Sequence, residues 1–200
     1  MIAVIDYDGG NTKSILNVLN RCDIKYIVTY DEKEIISSSK IILPGVSNFA
    51  FCMESLKKRK LDKIIKHYIK SEKKPYLGIC SGMQVLGSFS EEGNVEGLNI
   101  IPGKIKKIPI EFAKIVPHVG WNKVNFEENI LCKEIENNTR FYFCHSYYFK
   151  PDNEKNFLMK TNYGIEFCSA IKNENVFGIQ FHPEKSLADG IKILKNFSEI

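Results

Sequence analysis

Residues 76–84 read Tyr-Leu-Gly-Ile-Cys-Ser-Gly-Met-Gln, a short apolar run that ends in a cysteine flanked by two glycines. The run from Tyr76 to Ile79 is typical of a strand that is buried on both faces of a sheet. Gly78 and Gly82 leave room for a tight turn, and Gly-x-Cys-x-Gly is the thiol version of the nucleophile elbow. We therefore predict that a strand turns sharply into a helix at Cys80, with the thiol held out above the sheet.

Strand-like runs and helical patterns alternate on the N-terminal side of this elbow. This order predicts right-handed βαβ units and a parallel sheet with helices on both faces. The runs are strands at 2–5, 25–29 and 40–43, and helical stretches at 15–19, 49–56 and 61–69. Beyond residue 95, β-branched and aromatic runs predict antiparallel hairpins added to the sheet, before a closing helix. These later runs are 140–144, 166–171 and 176–181, and the helix is 187–197. The predicted fold is one domain over residues 1–200, an open three-layer α/β/α arrangement with a mostly parallel sheet and added antiparallel strands.

Composition narrows the functional class of the protein. The net charge is +4, but only three of the 28 basic residues are Arg, whereas a nucleic-acid reader usually concentrates Arg for bidentate contacts. The longest apolar runs are far too short to span a bilayer, and no signal peptide is visible at the N-terminus. We expect a cytoplasmic protein that binds neither nucleic acid nor membrane.

The six cysteines include no Cys-x-x-Cys pair and no tight Cys/His cluster, so we expect no metal site and no cofactor. Five of them are predicted to be reduced, mostly buried thiols. Cys80 differs, because the free N–H groups at the start of the new helix favour its thiolate form. The N–H of Ser81 is also placed to bond an oxyanion that forms there.

A thiol nucleophile needs a base, and His182 is the best candidate among the four histidines. It ends a predicted strand in the phrase Gln180-Phe-His-Pro-Glu184. Residues two apart in extended chain project to the same side, so the Glu184 carboxylate can orient one imidazole nitrogen while the other faces the thiol. The predicted constellation is nucleophile, base and orienting group.

A Pro-Gly turn follows another strand at the same edge of the sheet, in Leu43-Pro-Gly-Val-Ser47. Gly45 allows the backbone to turn an N–H toward the site. We assign the second oxyanion donor to Gly45–Val46.

The order of these motifs resembles the class I (triad-type) glutamine amidotransferases, which are flavodoxin-like. Further phrases are similar to the HisH-type glutaminase subunits of imidazole glycerol phosphate synthase, and the similarity runs from residue 2 to about 197. The phrases are Asp6-Tyr7 with Gly10-Asn11, Pro117-His-Val-Gly-Trp-Asn122, Phe143-Cys-His-Ser-Tyr-Tyr148 and His182-Pro-Glu-Lys-Ser186.

The resemblance implies that glutamine is hydrolysed to glutamate and ammonia through a thioester on Cys80. His182 would move protons to the departing ammonia, and Glu184 would orient the imidazole. Gln84 and the Ser146-Tyr147 backbone would hold the amino-acid end of glutamine.

The resemblance also implies a heterodimer with a (β/α)8 cyclase/synthase barrel (HisF-type) that receives the ammonia for histidine biosynthesis. Expected interface residues are Asn11, Trp121, Asn122 and Lys185.

Three positions depart from the usual family pattern: Asp8-Gly9, Ser47 in place of a glycine, and Ser81 in place of a common leucine. A Cβ at residue 47 resists the positive φ that glycine takes freely. Three alternatives remain open from the sequence. The chain could supply ammonia to a sugar amidotransferase for surface or flagellar glycans, act as a non-catalytic docking scaffold, or be a free-standing cysteine hydrolase.

Overall fold

The computed structural model describes residues 1–10, 12–113 and 115–200. The helices are α1 Thr12–Arg21, α2 Glu32–Ser37, α3 Phe49–Lys58, α4 Leu61–Lys70, α5 Ser81–Gln84 and α6 Leu187–Glu199. The strands of the N-terminal part are β1 Ile2–Ile5, β2 Tyr26–Thr29, β3 Lys40–Leu43 and β4 Tyr76–Ile79. The remaining strands are β5 Phe89–Ser90, β6 Val95–Glu96, β7 Gly103–Lys107, β8 His118–Lys123, β9 Asn125–Phe126, β10 Arg140–His145, β11 Tyr147–Pro151, β12 Phe157–Asn162, β13 Glu166–Asn173 and β14 Val176–Ile179.

The large sheet is mixed, with a parallel half and a largely antiparallel half. Its order is β2-β1-β3-β4-β14-β13-β11-β7-β5-β6, and β12 and β9 extend from β13 off this path. The five strands from β2 to β14 are parallel to one another. Strands β13, β11 and β7 continue the sheet in antiparallel pairs. The α/β class and the added antiparallel strands are therefore confirmed, and half of the sheet is antiparallel.

The predicted hairpin strands have two different outcomes. Strand β14 (Val176–Ile179) pairs in parallel with β4 on one side and antiparallel with β13 on the other, so it is a central strand of the sheet. Strand β10 (Arg140–His145) does not join the large sheet and forms a two-stranded antiparallel ribbon with β8. The hairpin prediction is therefore confirmed for β13 and β14, which pair from Ala170–Ile179 to Asn173–Val176. It was wrong for β10, because strand partners depend on residues distant in sequence.

Apolar side chains fill both faces of the parallel half. All four residues of β1, β4 and β14 are buried, as expected for strands covered on both sides. Helices α2, α3 and α4 cover one face. The other face is covered by α1, α6 and the ribbon, which contributes Phe141 and Phe143. The result is the predicted three-layer arrangement, with the carboxyl ends of β3, β4 and β14 at one edge.

None of the helices in the described part of the chain combines the length and apolarity that crossing a bilayer requires.

Candidate active site

The elbow after β4 has the strained geometry that its glycines predict. Cys80 has φ 52° and ψ −111°, which is rare for a residue with a Cβ. A Cβ on Gly78 would lie 2.2 Å from the carbonyl oxygen of Gly82, and a Cβ on Gly82 would lie 2.0 Å from that of Leu43. Both positions therefore require glycine for close backbone approach, and α5 begins directly after the cysteine.

The parallel pairing of β14 with β4 places His182 at the same edge as Cys80. Ile179 lies opposite Ile79, and the Cys80 N–H donates to the Ile179 carbonyl at 2.7 Å. Both Cys80 and His182 line one pocket. Their side chains thus meet across the carboxyl ends of two adjacent strands, although they are 102 positions apart in the sequence.

His182 is held on both sides. Its Nδ1 lies 2.9 Å from Oε1 of Glu184, and both side chains are only 3% exposed. Its backbone N–H donates to the carbonyl of Tyr142 on the ribbon at 2.8 Å. The contact is the predicted one, but its backbone differs from the prediction: a short 3-10 helix begins at Pro183, so Glu184 lies in a helical turn and not in extended chain.

Opposing influences act on the pKa of His182. Burial is the largest single influence and disfavours the imidazolium, but hydrogen bonds and charge from Cys80 and Glu184 together outweigh it. The pKa of His182 is therefore raised above its ordinary value. A raised pKa suits a group that must hold a proton for a departing amine.

Replacing Glu184 with glutamine is expected to lower the pKa of His182, because it removes the neighbouring negative charge while keeping a hydrogen-bonding side chain. In the unmodified chain, the stabilising effect of the raised pKa is fully present below about pH 6.5 and is lost as pH rises through the folded-state pKa. The free energy of unfolding of Glu184→Gln should therefore fall less over that alkaline window.

Histidine NMR titration and urea unfolding at several pH values measure the two effects. An identical His182 titration in Glu184→Gln and the unmodified chain would contradict the assignment of Glu184. Glu174→Gln, on the exposed turn before β14, is the matched control.

The pocket over the elbow has a volume of about 300 Å³, which suits a small amino acid. Most of the predicted site residues line it, namely Cys80, Ser81, Gln84, Val46, Ser146, Tyr147, His182 and Lys185. Glu184 contacts Nδ1 of His182, and Gly45 packs against Ser81 and Gly82 of the elbow; neither lines the pocket. The structure therefore brings together the groups predicted for nucleophile, base and substrate contacts.

The Pro44–Ser47 loop approaches the elbow closely. A Cβ on Gly45 would lie 2.0 Å from Oγ of Ser81 and 2.6 Å from the Gly82 nitrogen. Gly45 and Ser47 both lie outside the left-handed region, so the glycine is needed here for contact with the elbow. The serine at residue 47 accordingly carries no backbone strain of the kind expected from its Cβ.

Gln180 contacts both Cys80 and Gln84 from below the pocket, and its role was not predicted from the sequence. Its side chain is buried, its Nε2 lies 3.6 Å from Sγ of Cys80, and its Oε1 accepts from Gln84 at 3.0 Å. Its position two residues before His182 in extended chain could have identified it. Glu92 and Cys144 line the pocket, and no local pattern marked them.

Two of the four expected interface residues lie close together near the mouth of the pocket. Trp121 makes an edge contact with Tyr142 at 6.2 Å between ring centroids, and the Lys185 ammonium lies 5.5 Å from the Tyr142 ring centroid. Asn122 is half-buried and turns its amide toward His118 and the carbonyl of Asn162. Asn11 lies outside the described residues.

Among the described residues, no group of three or more His, Cys, Asp or Glu side chains is arranged so that it could bind a metal ion.

Comparison with known families and proteins gives one consistent result. The family model for class-I glutamine amidotransferases matches residues 3–200. The subunit HisH of imidazole glycerol phosphate synthase from Methanocaldococcus jannaschii is 45% identical over 204 residues, covering 100% of both chains. The HisH subunit of Leptospira borgpetersenii is 40% identical, again with 100% of both chains covered.

Solved structures with low sequence identity share the fold. A glutamine amidotransferase crystal structure has a TM-score of 0.78 at 12% identity and covers 100% of this chain and 98% of its own. A chain of PurLQS from Thermotoga maritima has a TM-score of 0.74 at 18% identity and covers 98% of this chain and 96% of its own.

Proposed function

Since the chain belongs to the class I glutamine amidotransferase family, we propose that it is the glutaminase subunit of an imidazole glycerol phosphate synthase. It hydrolyses L-glutamine to glutamate and ammonia. The ammonia passes to a (β/α)8-barrel cyclase/synthase subunit that makes imidazole glycerol phosphate and AICAR in histidine biosynthesis. The observation that carries the proposal is the 2.9 Å His182–Glu184 pair, whose imidazole lines the same pocket as Cys80.

The reaction begins when the Cys80 thiolate attacks the side-chain carbonyl carbon of glutamine. The tetrahedral oxyanion accepts hydrogen bonds from the Ser81 N–H and from the Gly45–Val46 segment. The carbon–nitrogen bond then breaks as the His182 imidazolium gives its proton to the departing nitrogen, which leaves as ammonia.

Water next adds to the thioester and gives a proton to neutral His182. Collapse of this second intermediate releases glutamate, and the sulfur returns to the thiolate beside the imidazolium. Glu184 keeps the imidazole in one orientation through both half-reactions.

The amino-acid end of glutamine binds beside Gln84 and the Ser146–Tyr147 backbone. Gln84 is 4% exposed, and its Nε2 already donates to the Tyr147 carbonyl at 2.9 Å. A preformed polar end of this kind positions the substrate amide over the sulfur without ordering loose side chains on binding.

Exposed apolar side chains near the pocket support docking of a partner. Val119 and Trp121 on β8 are 54% and 44% exposed, and Lys185 lies beside them at the pocket mouth. Trp is enriched among interface residues that carry binding energy. We assign the barrel partner to this face, so that ammonia crosses a closed interface in a cytoplasmic heterodimer built on a single domain of residues 1–200.

The alternative functions as a sugar-amidotransferase subunit or a docking scaffold are not favoured. The relatives that cover the full chain at 40–45% identity carry the name of the histidine-pathway subunit, not that of a sugar amidotransferase. A scaffold without catalysis has no need of the buried His182–Glu184 pair beside a strained cysteine.

Glutamine hydrolysis by the chain is expected to rise at least about tenfold when the barrel partner binds, as for a typical coupling between two sites. The test is co-purification of the barrel from the native host, followed by glutamate release with and without the barrel and its nucleotide substrate. Trp121→Ala should weaken this activation. Ile130→Ala is the control, because Ile130 is 50% exposed and lines no part of the pocket. A hydrolysis rate that the barrel leaves unchanged would contradict the proposal.

A further inference from the structure

Two buried histidines form a cross-strand pair at the end of the ribbon nearest the pocket, and the reaction described above uses neither. His118 and His145 are 2% and 6% exposed. His145 lines the pocket. His118 is stacked between the rings of Phe143 and Tyr163, at centroid distances of 4.7 and 3.9 Å. Each nitrogen of a buried imidazole needs a hydrogen-bond partner, and those partners determine which nitrogen donates and which accepts.

The proton on His145 is assigned by the group that faces its Nδ1. That nitrogen lies 2.8 Å from the carbonyl oxygen of Tyr147, which can only accept, so Nδ1 donates. Burial lowers the pKa of His145 to about 3, which keeps the ring neutral near pH 7. Its Nε2 is therefore an acceptor.

The proton on His118 follows from that of His145. The two rings approach with Nδ1 of His118 3.0 Å from Nε2 of His145, so His118 donates. Burial also lowers the pKa of His118, to about 4, and its Nε2 accepts from the Asn122 amide at 3.3 Å. The second N–H of Asn122 donates to the Asn162 carbonyl at 2.9 Å, and its Oδ1 accepts from the Lys123 N–H at 2.8 Å. The side chain of Asn122 is thereby held in one orientation.

The chain of hydrogen bonds continues from Tyr147 into the pocket. The same Tyr147 carbonyl accepts from Gln84 Nε2 at 2.9 Å, and Gln84 also donates to Gln180 at 3.0 Å. Gln180 in turn reaches Sγ of Cys80 at 3.6 Å. Reversing one donor in this series would leave two acceptors or two donors facing each other in a buried site.

We propose that Asn122, His118 and His145 are positioning residues that form a one-directional hydrogen-bond relay. The relay holds the Tyr147 carbonyl, and through it the Gln84 amide, in the geometry that binds glutamine. It also connects the substrate pocket to the ribbon that we assign to partner docking. The identity of the substrate rests on the proposed function, whereas the direction of the relay does not.

Asn122→Asp tests the relay at its outer end. A carboxylate has no N–H to donate to Nε2 of His118, so that nitrogen must carry a proton itself. This either charges the buried ring or removes the proton from the Nδ1 that bonds His145, and both disturb the series. The isolated chain is incubated with a glutamine-analogue electrophile, and labelling of Cys80 is followed by mass spectrometry. The half-saturating concentration should rise about tenfold, the value expected for one lost buried hydrogen bond, with a nearly unchanged maximum rate.

Asn125→Asp is the matched control, because it makes the same charge change at an exposed residue that contacts neither ring. Its half-saturating concentration should stay within about twofold of the unmodified chain, the range of typical surface substitutions. Equal effects of the two substitutions, or no effect of Asn122→Asp, would overturn the relay.

Two substitutions of His118 separate hydrogen bonding from packing. His118→Phe keeps a ring between Phe143 and Tyr163 but has neither donor nor acceptor. His118→Gln loses the ring but can donate to His145 and accept from Asn122. The relay predicts that phenylalanine impairs binding of the analogue and that glutamine restores most of it, whereas a purely structural ring predicts the opposite order.

Nitrogen-15 NMR of the histidine-labelled chain gives a readout that does not depend on glutamine. Both rings should be neutral at pH 7 and carry their proton on Nδ1. A proton on Nε2 of His145 would overturn the relay. If iodoacetamide labels Cys80 but the analogue labels it in no variant, the proposed function fails, and the NMR result alone then decides the relay.

Discussion

Cys80→Ala is expected to reduce glutamine hydrolysis at least about 10³-fold, because it removes the atom that forms the thioester. Alanine has a Cβ, as cysteine does, and its side chain is not larger. The backbone at φ 52° is therefore strained to the same extent in both. The variant should therefore fold and should still bind the barrel partner. Glutamate release from the complex, and loss of labelling by the glutamine-analogue electrophile, measure the effect.

Cys22→Ala is the control for this substitution. Cys22 follows α1, is half-buried and lines no part of the pocket, so hydrolysis should stay close to that of the unmodified chain. Substantial glutamine turnover by Cys80→Ala, with Cys22→Ala unaffected, would show that the sulfur of residue 80 is not the nucleophile.

His182→Asn is expected to lower the maximum rate by about 10³-fold or more, as removal of the base from a triad does. Asparagine can still bond Glu184 but cannot carry a proton to the departing ammonia. The loss should fall mainly on the maximum rate rather than on the concentration of glutamine for half-saturation, because His182 acts on the leaving group.

His67→Asn is the matched control, since its side chain is 54% exposed on α4 and lies 3.6 Å from Glu72. Its glutamate release should equal that of the unmodified chain. If His182→Asn retained more than about a tenth of the rate, a general acid–base role worth 10²-fold or more would be excluded.

Most of the local geometry of the site could be predicted from residues close in sequence. Gly78 permits the tight turn because a Cβ at this position would lie 2.2 Å from the carbonyl oxygen of Gly82 in the same elbow. The His-Pro-Glu spacing likewise places a carboxylate against the imidazole, as the 2.9 Å contact demonstrates. Steric limits and short spacings of this kind act within a few residues.

Contacts between distant segments were less predictable. The run Val176–Ile179 forms the predicted hairpin with β13, but its pattern did not indicate the parallel pairing with β4 that brings His182 to Cys80. Similarly, β10 was assigned to the main sheet, but it forms the ribbon with β8 that carries Trp121 and supports His182 from Tyr142. A short strand can satisfy its backbone hydrogen bonds with several partners, so its own pattern does not select one.

The amino-acid sequence by itself determined the elbow, the histidine and its carboxylate, and the family to which this combination belongs. Only the tertiary structure decided that β14 lies beside β4, that Gln180 reaches the sulfur across 100 residues of chain, and that two histidines connect Asn122 to the pocket. The physical reason is the distance in sequence between the groups that interact. The backbone conformation of a tight turn is limited mainly by steric contacts among residues close in sequence. The direction of a buried hydrogen bond depends instead on the donor or acceptor that folding places opposite it.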